Sequence, residues 1–496
     1  MSERPTVVKP AIAGRPAPAS SVIRVVAGRR LAAALVVATL LAGCAIGPNY
    51  KPPVTPLPAT FAQARGAVLD AAGPAASEVW KSFGEPELEA LIARAQQENR
   101  SIAQASARLE EARAIGGLTT WALLPSVTAA ANRERSEPSG RDPFLPSGQG
   151  PTTVYRAGFD ASWEIDVFGG ARRAAEATRR DLDSAVADQA AARLSTTAEV
   201  AQAWFALRGA EARLAILRRN LENLREDLRI LDVRLEAGRG TELDTSRQAT
   251  LVASVAAQLP QSEAEVARQE QRLAVLTAMS AAELRAQWLA PTKAIPPPPS
   301  LVAVGTPEQW IQRRPDVRAA DRRLAAATAR IGVEQADFFP RLTLNGTFGY
   351  TSQLRSELFE AATERLSYGP SLSWAFLDVG RVRQRVLAAK ARQRGALAAY
   401  DETVLRALEE TENALAGYRA ATESLVANET GLAAARNAAQ MARARFDAGA
   451  SDYLGVLDAE RTLLDFEDRV VQGSVARATS LAALYKALAG DFARAQ

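Results

Sequence analysis

The sequence predicts an α+β membrane protein built as a tandem structural repeat. A few β-strands per chain are pooled between copies, and very long α-helices pack as coiled coils. Three observations carry this reading: residues matched at a nearly constant offset, strand pairs with strict alternation, and two long proline-free stretches of helix-forming sequence.

The repeat is the strongest of the three. Leu123-Leu124-Pro125-Ser126-Val127-Thr128 recurs as Phe338-Phe339-Pro340-Arg341-Leu342-Thr343, an offset of 215 that Leu109 and Leu324 share. Further on, Trp163 pairs with Trp374, Gly169 with Gly380, Arg172 with Arg383 and Gly238 with Gly449, all at 211. The four-residue change falls between the two strands of each half, where a loop can absorb it.

Each half carries a strand pair of period two. Tyr155, Ala157, Phe159, Ala161, Trp163 and Ile165 share one face, opposite Arg156, Gly158, Asp160, Ser162 and Glu164. In the second half Leu342, Leu344, Gly346, Phe348 and Tyr350 oppose Thr343, Asn345, Thr347 and Gly349, and the strand from Leu366 to Phe376 alternates against serines and glycine. Val127 to Arg133 alternates more weakly. Strands of about ten residues with aromatics on the apolar face fit a transmembrane β-barrel. Four strands cannot close one, and lipid does not tolerate open edges, so copies must pool eight, twelve or sixteen strands.

After each strand pair the chain reads as a long helix. No proline occurs from Thr152 to Leu259 or from Ser371 to Gln496. From about Ala171 to Glu236 the composition is Ala, Arg, Leu and Glu, good helix formers, and such a helix reaches roughly 100 Å. Leu214, Leu217, Leu221, Leu224, Leu228, Leu231 and Leu235 form a heptad seam that needs a partner. The matched seam is Leu425, Asn428, Leu432, Ala435, Ala439, Ala442 and Phe446, whose small residues allow close approach. Both helices run into glycine turns, Gly238-Arg239-Gly240 and Gly449-Ala450, which supply left-handed caps. Returning helices start near Glu242 and Tyr453, and Pro260 is expected to break the first.

Residues 1–30 hold six basic side chains against Glu3, while the rest carries 54 basic and 55 acidic ones, so no cationic surplus favours nucleic acid. There is no histidine and one cysteine, which removes His-based catalysis, His-ligated metals and an internal disulfide; no cofactor or catalytic residue is expected. A basic stretch ending at Arg30 and an apolar run to Leu40 close on Leu41-Ala42-Gly43-Cys44. This motif resembles the bacterial lipoprotein signal, with Cys44 acylated as the mature N-terminus. Ala45 after it favours delivery to the outer membrane, in lipoproteins generally.

Cys44-Ala45-Ile46-Gly47-Pro48-Asn49-Tyr50-Lys51-Pro52-Pro53, Trp80-Lys81-Ser82-Phe83-Gly84-Glu85-Pro86-Glu87-Leu88, Arg313-Arg314-Pro315-Asp316-Val317, Ile331-Gly332 and Phe338-Phe339-Pro340 occur in order over the chain. Together they resemble the TolC-type outer-membrane factor family, in its lipoprotein branch with OprM and NodT. Val79 departs from it, standing where a second tryptophan is common. The resemblance implies a homotrimer with a twelve-stranded barrel anchored in outer-membrane lipid and a helical tunnel across the periplasm. It also implies docking to a periplasmic adaptor and an inner-membrane pump of resistance-nodulation-division or ABC type. Its bounds are a leader at 1–43, an extended anchored segment at 44–85, repeats at 86–285 and 307–490, a linker at 286–306 outside the helical barrel and a tail at 491–496.

For the periplasmic tip, the resemblance points to Gly238, Gly240, Thr241, Gly449, Ser451 and Asp452 as adaptor contacts, and to Asp458 and Asp244 as an acidic aperture ring. Gly455 and Ser451 replace an acid and an arginine of the family pattern. A plainer role competes for two acids: Asp452 can cap its helix, and Thr241 with Asp244 resembles a capping box. Two other classes compete for the whole chain. A periplasmic coiled-coil adaptor would have one helical hairpin between β-rich modules, and a structural lipoprotein would leave both strand pairs unexplained.

Overall fold

The computed structural model describes residues 45–64, 80, 81, 83–137, 150–288, 295 and 306–488. The leader with Leu41, Ala42, Gly43 and Cys44, most of the 286–306 linker and the 491–496 tail lie outside the described residues.

The chain enters α1 (Pro86–Glu98), whose first-turn proline gives up no hydrogen bond. The Asn99 side chain then accepts from the Ser101 and Ile102 amides at 2.9 and 3.2 Å, capping α2 (Arg100–Trp121). Four strands follow, split between the halves: β1 (Ser126–Ser136), β2 (Thr152–Ile165), β3 (Arg341–Ser352) and β4 (Glu364–Ser373). They form one antiparallel sheet in the order β1-β2-β3-β4.

The duplication persists at the level of hydrogen-bond register. Ser126 faces Ser162 in the first hairpin; their repeat mates Arg341 and Ser373 face each other in the second. The Trp163 indole donates to the Leu123 carbonyl at 3.0 Å, and Trp374 donates to Phe338 at 3.1 Å, the same bond in both halves. The connection 137–151 is four residues longer than 353–363, which is where the offset changes.

β4 stops at Ser373, three residues short of the expected Phe376. Its last partner is Arg341, beyond which Pro340 has no N–H to offer. The chain turns instead through a 3-10 helix, Phe376–Asp378.

The two faces sort as the alternation requires. Phe159 faces Phe348, Trp163 faces Leu344, and Leu342 and Phe348 face Leu372 and Leu366. On this face Tyr368 is 80% exposed and Leu372 69%, an apolar surface that water would not favour. On the opposite face Ser162, Asn345 and Ser371 are linked by hydrogen bonds of 3.1 and 3.0 Å, and Thr347 donates to Asp160 at 2.9 Å.

Two compact units divide the chain, and both repeats contribute to each. The first unit comprises 1–48, 120–174 and 331–386, and the second 49–119, 175–330 and 387–496. The helices are α3 (Gly170–Glu236), α4 (Glu242–Ala256), α5 (Leu259–Leu276), α6 (Ala281–Trp288), α7 (Pro307–Arg313), α8 (Pro315–Ala336), α9 (Val379–Asp447) and α10 (Tyr453–Ala487). No described helix is long and apolar enough to cross a membrane.

In the second unit Leu221, Leu224 and Leu231 of the heptad seam are buried against Leu251 and Val255 of α4 and Val456 and Leu457 of α10. A second core joins Trp80, Phe83, Leu88, Trp204, Phe205 and Leu481, with the Phe83 and Phe205 rings 4.9 Å apart. Arg208, 1% exposed, is accepted there because its guanidinium lies 4.3 Å over Trp204 and pairs with Glu211 at 3.1 Å. Pro260 sits in the first turn of α5, and the returning helix breaks at Ala257 and Gln258. Its counterpart α10 runs 35 residues without a break, with Val471 at the matched position.

Candidate functional site

The candidate site lies where α3 and α9 end and the chain reverses. Gly238 and Gly449 adopt φ of +68° and +70°, which side chains rarely tolerate. The Gly238 amide donates to Leu235 and the Arg239 amide to Arg234, at 2.9 and 2.8 Å; Gly449 donates to Phe446 and Ala450 to Arg445, both at 2.9 Å. These are two Schellman turns related atom for atom by the repeat. Gly240 is needed for a different reason: a Cβ there would come within 3.0 Å of the Leu235 amide nitrogen.

After the turns the halves diverge. Thr241 accepts from the Asp244 amide at 3.2 Å and donates to the Asp244 carboxylate at 2.6 Å, a side-chain N-cap at the start of α4 that lacks the reciprocal amide bond of a full capping box. Asp244 is thus half-buried and engaged locally. Asp452 holds the matching N-cap position of α10, but its side chain makes no capping hydrogen bond. Ser451 is half-buried, and Asp458 is exposed, two turns into α10 and too far along to cap it.

A cluster that single-sequence reasoning missed lies just behind the second turn. Arg443 on α9 bonds Asp227 of α3 at 2.5 Å and reaches Glu460 of α10 at 3.5 Å and Asp447 at 3.9 Å. Arg234 of α3 reaches Asp447 at 3.3 Å and lies 4.6 Å over the Phe446 ring, which packs edge-on against Tyr453 at 5.0 Å. Three helices are thereby tied together by one cation. Burial, and next the Asp227 charge, push the Glu460 carboxyl up to about 7 despite Arg443. Burial likewise raises the Tyr453 phenol, and the hydrogen bond to Asp227 raises Arg443. The repeat mates of Arg443 and Glu460 are Asp232 and Ala249, so the repeat pattern gave no hint of this node.

A four-stranded sheet with an apolar and a polar face, fused through both ends to coiled-coil helices, defines a β-barrel channel assembled from several copies. Residues 91–278 and 306–490 match the family model described as outer membrane efflux protein. The outer membrane protein OprJ of Pseudomonas aeruginosa is 32% identical over 92% of this chain and 95% of its own length. The nodulation protein T of Rhizobium leguminosarum bv. viciae is 32% identical over 94% of this chain and 92% of its own. The solved outer-membrane channel OprN superposes with a TM-score of 0.85 at 37% identity, covering 90% of this chain and 99% of that one.

The chain belongs to the outer membrane efflux protein family. It is the outer-membrane channel subunit of a tripartite efflux system, a homotrimer whose twelve-stranded barrel continues into a helical barrel in the periplasm. It works with a periplasmic adaptor and an inner-membrane pump, and its relatives are channel proteins rather than enzymes.

Proposed function

We propose that the two glycine turns form the periplasmic tip that receives the adaptor, and that Asp458 lines the narrowest ring of the trimer. The duct is passive: it performs no catalysis and moves cargo supplied by the pump. The observation that carries the assignment is the divergence of the acids. Capping engages Asp244, whereas exposed Asp452 and Asp458 make no capping hydrogen bond, and only Asp458 lies within α10 and not at its start. Three symmetric carboxylates in a constriction attract cations and repel anions. The repeats at 86–285 and 307–490, joined by 286–306, supply one tip turn each, and acylated Cys44 assists the barrel in holding the membrane.

Two measurements test this. With Cys44, the acylated N-terminus, as the sole native cysteine, Asp458→Cys can be modified selectively. In planar bilayers a bulky cationic thiol reagent added on the helical side lowers its single-channel conductance while leaving Asp452→Cys little changed; equal insensitivity of both would overturn the ring. Intact mass of the mature protein reports an acylated Cys44 N-terminus, and unmodified cleavage elsewhere would exclude it.

A further inference from the structure

The first described residues are held by a site remote in sequence from the glycine turns. Arg173, 5% exposed, donates through Nε to the Ile46 carbonyl at 3.1 Å and through Nη2 to the Ala45 and Gly47 carbonyls at 3.3 and 3.2 Å. The Ile46 amide completes the docking by donating to the Phe168 carbonyl at 3.2 Å. Two glycines make room for the segment. A Cβ on Gly332 of α8 would stand 2.6 Å from the Ile46 carbonyl oxygen, and one on Gly169, at φ +81°, 2.6 Å from the Ala45 Cα.

The hydrogen bonds are all to main chain, and the seat also demands glycine at 47, whose φ is +108° and whose Cβ would stand 2.4 Å from the Gly332 Cα. A guanidinium suits this task because its fixed fork of donors can span successive carbonyls. The repeat offers a natural control. The mates of Gly169, Gly332 and Arg173 are Gly380, Gly117 and Gln384; both glycines there face open space, and the cation is gone. The segment therefore has one address per protomer.

We propose that Arg173, Gly169 and Gly332 form a receptor for the main chain of Ala45–Gly47, fixing the depth of the lipid anchor that precedes it. The seat lies at the helix-side end of the sheet. Phe168 and Phe339 stack there at 4.7 Å, and Trp374 and Phe376 pack at 5.9 Å. Aromatics at a barrel rim mark the membrane interface. Acyl chains leaving from this point enter the periplasmic leaflet beside the girdle instead of trailing from a loose tether. The ligand is the chain's own processed N-terminus, and its acyl partner is the lipid of that leaflet. The depth-setting role rests on acylation of Cys44, whereas the receptor itself does not.

Hydrogen–deuterium exchange on assembled trimers in detergent tests the receptor, with intact mass read on the same sample to score acylation separately. In the native protein the Ile46 amide is protected. Gly332→Ala favours helix α8 by propensity yet occupies the space of the Ile46 carbonyl. We expect at least a tenfold faster exchange in the 45–48 peptide, with α8 and the trimer intact. Arg173→Ala gives the same release, and Arg173→Lys, with three mobile donors, an intermediate rate. Unchanged protection in both Gly332→Ala and Arg173→Ala would overturn the receptor. Release of the peptide from a sample whose mass shows no acyl chains would retain the receptor and overturn its depth-setting role.

Discussion

The two halves of the chain share a register and differ at every place where one copy had to serve two ends. Their hairpins pair residue for residue, their tryptophans make the same bond, and their glycine turns repeat within about 0.1 Å. Yet the first half carries the broken returning helix, the Thr241 cap and the buried Arg173, and the second an unbroken helix, an uncapped acid and the Arg443 node. What the repeat retains is the geometry that closes sheets and reverses helices. What it has lost is equivalence of the charged groups just beyond the two helix reversals.

The largest difference to probe is the node. The folded Glu460 carboxyl titrates at about 7, above its ordinary value near 4.5, so between those pH values the folded protein holds a proton that the unfolded chain releases. Stability from this group therefore falls as pH rises through that window, and the loss is complete above 7. Glu460→Gln should remove the slope and raise thermal stability above pH 7 by as much as roughly 3 kcal/mol. The matched Ala249 in the first half has nothing to titrate. Parallel pH profiles for wild type and variant would remove Glu460 from the network.

The turns should behave alike. Gly238→Val and Gly449→Val each force a β-branched residue into positive φ, at about 1–2 kcal/mol in thermal or denaturant unfolding. A large inequality would mean that the two tips bear different loads.

The caps should behave differently. Thr241→Ala loses a side-chain cap, costing about 1 kcal/mol, whereas Asp452→Ala loses none and should stay within about 0.5 kcal/mol. Equal losses in melting experiments would show that Asp452 caps α10 after all. Smallest is the indole pair. Trp163→Phe and Trp374→Phe each remove one bond, of roughly 1 kcal/mol at most, with less expected at 56%-exposed Trp374.

Much of this architecture is legible in the sequence because it obeys short-range rules. Alternation put Phe159 and Phe348 on one face, glycine marked both reversals, and Pro260 marked the break in the returning helix. The end of β4 was misjudged because alternation continues to Phe376 while the partner strand does not. The Arg443 node and the Arg173 seat were invisible for a related reason. Each joins residues more than 120 positions apart, Asp227 to Arg443 and Ile46 to Arg173, and neither bond leaves a periodic trace. Of the two acids for which the sequence offered capping, Asp244 takes a capping partner and Asp452 does not, and local geometry separates Asp244 from Asp458 only by that partner.

That separation is the claim most open to direct measurement. Reversal potentials in planar bilayers under a salt gradient should show Asp458→Asn less cation-selective than wild type, with Asp244→Asn close to wild type and less heat-stable. An unchanged reversal potential for Asp458→Asn, or a shift confined to Asp244→Asn, would contradict the division of labour between the two halves.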